Sequence, residues 1–204
     1  MKLYFSPGAC SMAAHIVLNE AGGSYALEKT DTKAGRTESG ADYAAINPRG
    51  YVPALLLDDG AVVTENVAIL QFLADQYPAM RLAPPWGTMG RVRLQECLSF
   101  LSSELHKVFG PFFAGKDLSA DEKSAALNKL NRTIGHFDAM LGDGRAIFGG
   151  EDFSVADAYA FVILNWTNFI GVSLEPWPRT RAFVDRIAAR LSVQRALREE
   201  GLVQ

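Results

Sequence analysis

The chain has 204 residues, of which 49% are apolar and 21% are charged. These proportions match ordinary globular proteins and exclude a disordered chain. The formal net charge is only -3 and no basic block stands out, so a nucleic-acid or anionic-membrane partner is disfavoured and a small-molecule partner is favoured.

The N-terminal residues carry one charge and a short strand-like run, without the apolar stretch of a signal peptide. No run approaches the roughly eighteen consecutive apolar residues that a membrane helix needs. We therefore expect a cytoplasmic protein. In that reducing compartment the two cysteines, Cys10 and Cys97, are not expected to form a structural disulfide.

The first part of the chain is predicted to begin as strand, helix, strand. Residues 2–6 form the first strand, which Pro7-Gly8 ends, and Ala9 to Ala21 then reads as a helix closed by Gly22-Gly23. Tyr25 to Asp31 is predicted as the second strand. A polar stretch through Gly50 follows and is expected to be irregular.

A hairpin and a helix are predicted next. The runs 52–57 and 61–63 read as strands joined by a tight turn at Asp59-Gly60, because glycine supplies the positive φ that such turns need. Helical spacing returns at Glu65 and ends at Tyr77-Pro78. Residues 1–80 are therefore predicted to form one α/β domain in the order βαβ, then ββα.

The rest of the chain is predicted to be helical, with residues 81–87 as a linker and 88–204 as an all-α domain. Leucines from Leu94 to Leu105 step by three or four through a long helix, and a second apolar stripe runs from Leu127 to Leu141. Capping boxes are predicted at Ser119 and Ser154, since each serine precedes a carboxylate residue by three positions.

Cys10 is the first candidate for chemistry. It lies where the loop after the first strand gives way to the first helix, so free backbone N–H groups and the helix dipole should favour its thiolate. Thioredoxin-like proteins keep their redox sulfur at this place, but the segment beginning at Cys10 lacks the second cysteine of a Cys-x-x-Cys motif. Monothiol chemistry would follow. The alternative is a small buried hydrophobe.

Two further segments point to a peptide ligand. In thioredoxin-like folds the proline that opens the third strand has a cis bond, and Val52-Pro53 occupies that place here; the alternative is an ordinary strand-start proline. Glu65 and Asn66 lead into the next helix, where N–H groups suit a carboxylate and Glu65 could accept from an ammonium group. The alternative is a helix cap without a ligand.

These motifs together resemble the beta-class, bacterial glutathione transferases. The resemblance rests on Pro7-Gly8-Ala9-Cys10-Ser11, Asn47-Pro48-Arg49-Gly50 with Val52-Pro53-Ala54-Leu55, and Thr64-Glu65-Asn66-Val67-Ala68 in the first half. Ser103-Glu104-Leu105-His106-Lys107, Phe153-Ser154-Val155-Ala156-Asp157 and Glu200-Gly201-Leu202 agree with it in the second. It therefore covers nearly the whole chain and implies a thioredoxin-like domain followed by a helical domain.

The resemblance implies a glutathione site. Cys10 would lie beside the glutathione sulfur and form a mixed disulfide with it, and Val52, followed by Pro53, would pair with the cysteinyl backbone. Glu65 and Asn66 would hold the γ-glutamyl end. Further groups would come from the long helix, with His106 as a donor near the thiolate, Glu104 serving the partner subunit's ligand in a homodimer, and additional contacts from Ser103 and Lys107.

Some positions depart from the family pattern. A lysine expected at the glycyl carboxylate is replaced by Gly35, which leaves Lys33 or Arg36 as substitutes. Tyr51 replaces a common glutamine, Ser99 a common asparagine, and Asn66 a common glycine or serine. The contacts that these positions make with the ligand are expected to differ from those common in the family.

The remaining candidates are assigned structural roles. Cys97 lies next to the leucine stripe and is expected to be packed, and His15 and His136 are assigned neither a metal nor a catalytic role. The histidines and cysteines lack zinc spacing, so no metal is expected. An aromatic group is expected either to line the pocket for the second substrate or to be core; its members are Phe109, Phe112 and Phe113, with Pro111.

The sequence thus predicts a glutathione S-transferase that conjugates reduced glutathione to electrophiles in detoxification, with thiol-disulfide exchange through Cys10. The alternatives are a thioltransferase or reductive dehalogenase without major conjugating activity, a glutathione-dependent isomerase, and a non-enzymatic interaction protein on the same fold. Relatives of the isomerase type usually start from a serine motif, which this chain lacks. The pocket for the electrophile is expected to be built from apolar side chains.

Overall fold

The computed structural model describes residues 1–142, 148 and 153–203. The chain divides into two compact units, the first formed by Met1–Ala83 with Ala188–Gln204 and the second by Pro84–Ile187. None of the described helices combines the length and the apolar character needed to cross a membrane.

The first unit is built on a mixed five-stranded sheet. Its strands are β1 Lys2–Phe5, β2 Ala26–Asp31, β3 Arg36–Thr37, β4 Ala54–Leu56 and β5 Val62–Thr64, in the spatial order β3-β2-β1-β4-β5. β1 runs parallel to β2 and antiparallel to β4, and β4 pairs antiparallel with β5. With α1 Met12–Ala21 between β1 and β2, and α2 Asn66–Gln76 after β5, this is the predicted thioredoxin-like order.

The core of this unit lies between the sheet and its helices. Leu3 of β1 pairs in register with Leu55 of β4, and both side chains are completely buried. Ile16 of α1 and Ile69 of α2 are equally buried, and the two helices pack against each other. Apolar alternation in the strands and helical spacing in the helices therefore supply the two halves of one core.

Two local predictions for this unit were imprecise. Helix α1 begins at Met12 instead of Ala9, because Ala9 N–H donates to the Ser6 carbonyl and Met12 N–H to the Ala9 carbonyl, which are turn bonds that extend the loop. The stretch predicted as irregular holds β3 and a 3₁₀ turn at Tyr43–Ala45. That turn is capped by the Asp42 carboxylate, which accepts from Ala44 N–H.

The regular secondary structure described in the second unit is helical. Its α-helices are α3 Met89–Phe100, α4 Gly110–Phe113, α5 Ala120–Met140, α6 Val155–Phe169 and α7 Pro178–Ala188. The predicted capping boxes are present, because Ser119 and Ser154 each exchange hydrogen bonds with the residue three positions later. Capped starts explain where α5 and α6 begin, and an apolar stripe explains which face α5 buries. In α6, by contrast, all residues from Val155 to Leu164 are buried.

The long helix predicted from Leu94 to Leu105 is not uniform. It is α-helical to Phe100, continues as a π-helical turn over Leu101–Leu105, and passes through a 3₁₀ turn at Lys107–Phe109. The hydroxyls of Ser102 and Ser103 both donate to the Ser99 carbonyl. Such side-chain bonds compete with the regular backbone pattern and help explain the wider turn.

The last segment of the chain was predicted to be part of an all-α domain over 88–204. In the structure, Ala188–Gln204 belongs to the first unit instead. It carries α8 Leu191–Glu199, which packs against α1. Val193 and Ala196 of α8 are completely buried, and Glu20 of α1 accepts hydrogen bonds from Arg190 and Ser192. Apolar burial and these polar ties hold the C-terminal helix on α1.

Candidate functional site: a cysteine beside a cis-proline strand

Cys10 lies in the loop between β1 and α1, two residues before the first residue of the helix. Its side chain is half-buried, and its Sγ is 3.4 Å from the Val52 carbonyl oxygen, close enough for the thiol to donate a weak hydrogen bond. The thiol therefore lies against the segment that leads into β4.

That segment contains the Val52–Pro53 peptide bond, which is cis as predicted. Val52 is buried in a cluster with Tyr4, Tyr43 and Ala54. The preceding carbonyl, that of Tyr51, accepts hydrogen bonds from the Tyr43 hydroxyl and the Asn47 amide, at 3.1 and 2.7 Å. The backbone that leads into the cis bond beside Cys10 is thus held by two side-chain hydrogen bonds.

Glu65 immediately precedes α2 and has φ 69°, a left-handed conformation that is unusual for a residue other than glycine. One oxygen of its exposed carboxylate, Oε1, accepts from the Arg49 guanidinium at 2.6 Å and from the Tyr51 hydroxyl at 2.5 Å. The hydrogen bond to Glu65 raises the pKa of Tyr51. Tyr51, at the position where the family commonly has glutamine, therefore donates to this carboxylate.

Asn66 is the first residue of α2, and its side chain is buried. Neither Nδ2 nor Oδ1 has a hydrogen-bond partner among the described residues. Buried polar atoms are almost always paired, because leaving one unpaired costs about 1–3 kcal/mol. An amide with both of its polar atoms unpaired at a helix start is suited to a polar ligand.

The glycyl-carboxylate candidates lie near the β2–β3 connection. Gly35 has φ 66°, so glycine suits this turn better than the lysine that the family pattern leads one to expect. Lys33 and Arg36 are both exposed, and the Arg36 guanidinium donates to the Gly40 carbonyl at 3.2 Å. A contact of Lys33 or Arg36 with the glycyl carboxylate stays a prediction.

In the second unit, His106 follows the π-helical turn and its Nδ1 lies 2.8 Å from the Tyr159 hydroxyl. Its ring packs edge-on against Trp166, with the centroids 4.9 Å apart. Burial, assisted by the positive charge of Lys107, lowers the pKa of His106 to about 4. The imidazole is therefore neutral near pH 7, and it carries its proton on Nε2 when Tyr159 donates to Nδ1.

The other candidates of this unit are surface or core residues. Glu104 and Lys107 are exposed, while Ser103 donates to the Ser99 carbonyl. Phe109 is completely buried and packs against Trp166, whereas Phe113 is 51% exposed. The predicted aromatic wall is thus core at Phe109 and surface at Phe113.

Cys97 is buried, as predicted for a packed side chain. His15, which was assigned neither a metal nor a catalytic role, has partners that the sequence did not predict. Its completely buried ring faces carboxylates on both sides, with Nδ1 2.9 Å from Glu200 and Nε2 2.7 Å from Glu199. The adjacent carboxylates at the end of α8 were a signal for such a partner, but the sequence does not show that they meet α1.

Within the described ranges, no group of three or more histidine, cysteine, aspartate or glutamate side chains is arranged to hold a metal ion. The first unit thus offers a thiol, a cis-proline strand and an unpaired helix-start amide. These features are those expected of a thioredoxin-like site.

Comparisons with known proteins identify the family to which the chain belongs. The family model "Glutathione S-transferase, N-terminal domain" matches residues 7–76, and "Glutathione S-transferase, C-terminal domain" matches residues 100–190. The chain is 42% identical over 202 residues to the glutathione S-transferase GstA of Escherichia coli O157:H7, covering 99% of this chain and 100% of that relative.

Solved structures agree. A bacterial beta-class glutathione S-transferase of Sphingomonas chungbukensis superposes with a TM-score of 0.93 at 46% identity, with 100% of each chain covered. A sphingomonad glutathione S-transferase complexed with glutathione gives a TM-score of 0.93 at 44% identity, again over 100% of each chain. The chain belongs to the glutathione S-transferase family, in its bacterial beta class, and is an enzyme that uses glutathione as co-substrate.

Proposed function

We propose that this transferase binds glutathione along the Val52-Pro53 segment, with the glutathione sulfur beside Cys10 and the γ-glutamyl end at Glu65 and Asn66. The observation that carries the proposal is the 3.4 Å approach of Cys10 Sγ to the Val52 carbonyl at the cis peptide bond. A peptide that pairs with Val52 would present its cysteinyl sulfur to this thiol.

The γ-glutamyl end is matched by charge and by hydrogen bonding. Asn66 offers a buried N–H donor and a buried oxygen acceptor without partners among the described residues, and the α2 start adds backbone N–H groups. Glu65 has Oε1 occupied by Arg49 and Tyr51, and its second oxygen is suited to the ligand ammonium. One amino-acid terminus would thus be bound at both of its charges.

Two reactions follow from this arrangement. In conjugation, the bound glutathione thiolate attacks the electrophilic carbon, and the leaving group departs with the bonding electrons. In exchange, the Cys10 thiolate attacks a glutathionyl disulfide, so that an Sγ–S bond forms, the disulfide breaks, and the displaced thiolate takes up a proton. A further glutathione thiolate then attacks the mixed disulfide, which releases oxidised glutathione and restores Cys10.

The roles of Ser103, Glu104, His106 and Lys107 toward glutathione stay predictions from the family resemblance. For His106, the lowered pKa supports a neutral donor instead of an imidazolium.

A homodimer also stays a prediction, supported by the exposure of Met89 and Val92 on α3, at 67% and 51%. Light scattering that gives twice the mass of one chain would support the dimer, and a single-chain mass would contradict it. A cytoplasmic location is likewise an expectation.

The Cys10→Ala variant separates the two reactions. Disulfide exchange should be lost, while conjugation of glutathione to an electrophile such as a chlorinated nitrobenzene should be retained. Cys97→Ala is the matched control, because that thiol is buried and should leave both rates unchanged. Equal loss of both activities in Cys10→Ala would contradict the division, and exchange retained in Cys10→Ala would contradict the assignment of Cys10.

A further inference from the structure

The feature that the proposed function does not use is a buried carboxylate at the end of the C-terminal helix. The Glu200 side chain is completely buried. Its Oε2 accepts from the Gly8 backbone N–H at 2.8 Å, and its Oε1 lies 2.9 Å from His15 Nδ1. Glu200 therefore links α8, α1 and the loop that carries Cys10.

Gly8 lies two residues before Cys10 and has φ 72°. The same loop is held by local bonds, since Ala9 N–H donates to the Ser6 carbonyl and the Ser11 hydroxyl bonds to the Ser6 backbone. The bond from Gly8 to Glu200 differs from these in reaching across 192 positions of the chain. It ties the cysteine loop to an element outside the loop.

The neighbouring carboxylate gives a contrast. Glu199 lies 2.7 Å from His15 Nε2 and also accepts from Arg195 at 2.8 Å, and its side chain is 31% exposed. Burial raises the pKa of Glu199, but hydrogen bonds from Arg195, His15 and Asn19 outweigh it and lower the pKa overall. Both glutamates thus bind His15, while the described contact to Gly8 belongs to Glu200.

We propose that Glu200, oriented by His15, is a positioning residue that fixes the Gly8 turn and thereby the place of Cys10 Sγ relative to Val52. A hydrogen bond from a backbone N–H to a buried carboxylate is stronger than a neutral one, so its loss frees the turn. The proposal rests on the proposed exchange reaction of Cys10. It predicts that removal of the Glu200 carboxylate impairs disulfide exchange, because this reaction needs Cys10 Sγ to be aligned with the sulfur of bound glutathione.

The test compares two reactions of the same thiol in the full-length protein. Oxidised glutathione must bind before the Cys10 thiolate attacks it, whereas iodoacetamide alkylates the thiol without using the glutathione site. The ratio of the two second-order rate constants, measured on the same sample, cancels changes in the amount of thiolate. The folded fraction of each variant is measured separately by circular dichroism, because an unfolded chain would still be alkylated but would lack the glutathione site.

In Glu200→Ala this ratio should fall about tenfold, since misplacement of a reacting group on the order of 1 Å has effects of this size or larger. In Glu199→Ala, the matched control, the ratio should stay within about twofold of the parent. Glu200→Gln keeps an oxygen acceptor of the same reach and should recover most of the ratio. If Glu200→Ala does not fold, Glu200→Asp replaces it, because its shortened side chain should withdraw from Gly8 and give the same fall.

An unchanged ratio in Glu200→Ala or its Asp substitute would overturn the positioning role, as would equal falls in the Glu199 and Glu200 variants. Failure of the underlying proposal has a different signature. In that case the parent protein itself would form no adduct at Cys10 with oxidised glutathione, although iodoacetamide would still alkylate the thiol.

Discussion

The unpaired amide of Asn66 allows a prediction in which protein stability and ligand affinity change in opposite directions. Asn66→Ala removes a buried donor and acceptor that have no partner among the described residues. Leaving such groups unpaired costs about 1–3 kcal/mol, and alanine is the better helix former by roughly 0.6 kcal/mol. After allowance for lost packing, the free energy of unfolding of the free protein should rise by about 1 kcal/mol.

Glutathione binding should weaken in the same variant. Hydrogen bonds to charged groups contribute about 1.5–3 kcal/mol each, so the loss of this residue should cost about 2 kcal/mol, or roughly thirtyfold in Kd. Urea denaturation measures the first quantity, and calorimetric titration with reduced glutathione under reducing conditions measures the second.

Asn47→Ala is the matched control for stability. Asn47 is also buried, but its amide donates to the Tyr51 carbonyl at 2.7 Å and its Oδ1 accepts from Arg49 N–H at 3.2 Å. This substitution should therefore lower the free energy of unfolding by about 1–3 kcal/mol. The reasoning would be refuted if Asn66→Ala destabilised the free protein as much as Asn47→Ala and left glutathione affinity unchanged.

Two further predictions concern the second unit. The pKa of His106 is about 4 in the fold against 6.5 as its ordinary value, so the unfolded chain binds more protons between these values. The stabilisation is present above pH 6.5 and is lost as the pH falls toward 4, by roughly 3 kcal/mol in all. The loss of stability from pH 7 to 4.5 should therefore be smaller in His106→Asn than in the parent; equal losses, measured by denaturant unfolding, would contradict the lowered pKa. For the capping boxes, Ser119→Ala and Ser154→Ala should each lower the unfolding free energy by about 1 kcal/mol, measured in the same way, and Ser119→Asp should restore most of the loss. No loss in either alanine variant would contradict the capping role.

The parts of the fold that sequence reasoning predicted are those set by local chemistry. Gly60 has φ 89° at the predicted turn, and Leu56 and Val62 pair across it as a hairpin requires. The capping serines and the cis Val52–Pro53 bond lie where their motifs indicated. Each of these features depends on a few neighbouring residues whose conformational preferences are strong.

The parts that were missed depend on contacts between distant residues or on competition between similar backbone states. His15 and Glu200 are 185 positions apart, and nothing near either residue shows that they pair. The same contact is one of those that join the last helix to the first unit. The π-helical turn at Leu101–Leu105 was missed for the other reason, since an apolar stripe is compatible with either helical pitch over one turn.

The site was predicted in outline only. Sequence reasoning chose Cys10, Val52, Glu65 and Asn66, but it could not foresee that Arg49 and Tyr51 would share one oxygen of Glu65. Nor could it foresee the burial that lowers the pKa of His106. Both depend on side-chain placement within the folded unit.

The central claim, that Cys10 lies against the glutathione sulfur, is tested most directly by mass spectrometry of the intact protein under non-reducing conditions. After exposure to oxidised glutathione, the parent and Cys97→Ala proteins should each carry one glutathione, removable by reductant and mapped by peptide analysis to Cys10. Cys10→Ala should carry none. An adduct on Cys97, an adduct that persists in Cys10→Ala, or no adduct on the parent would contradict the account.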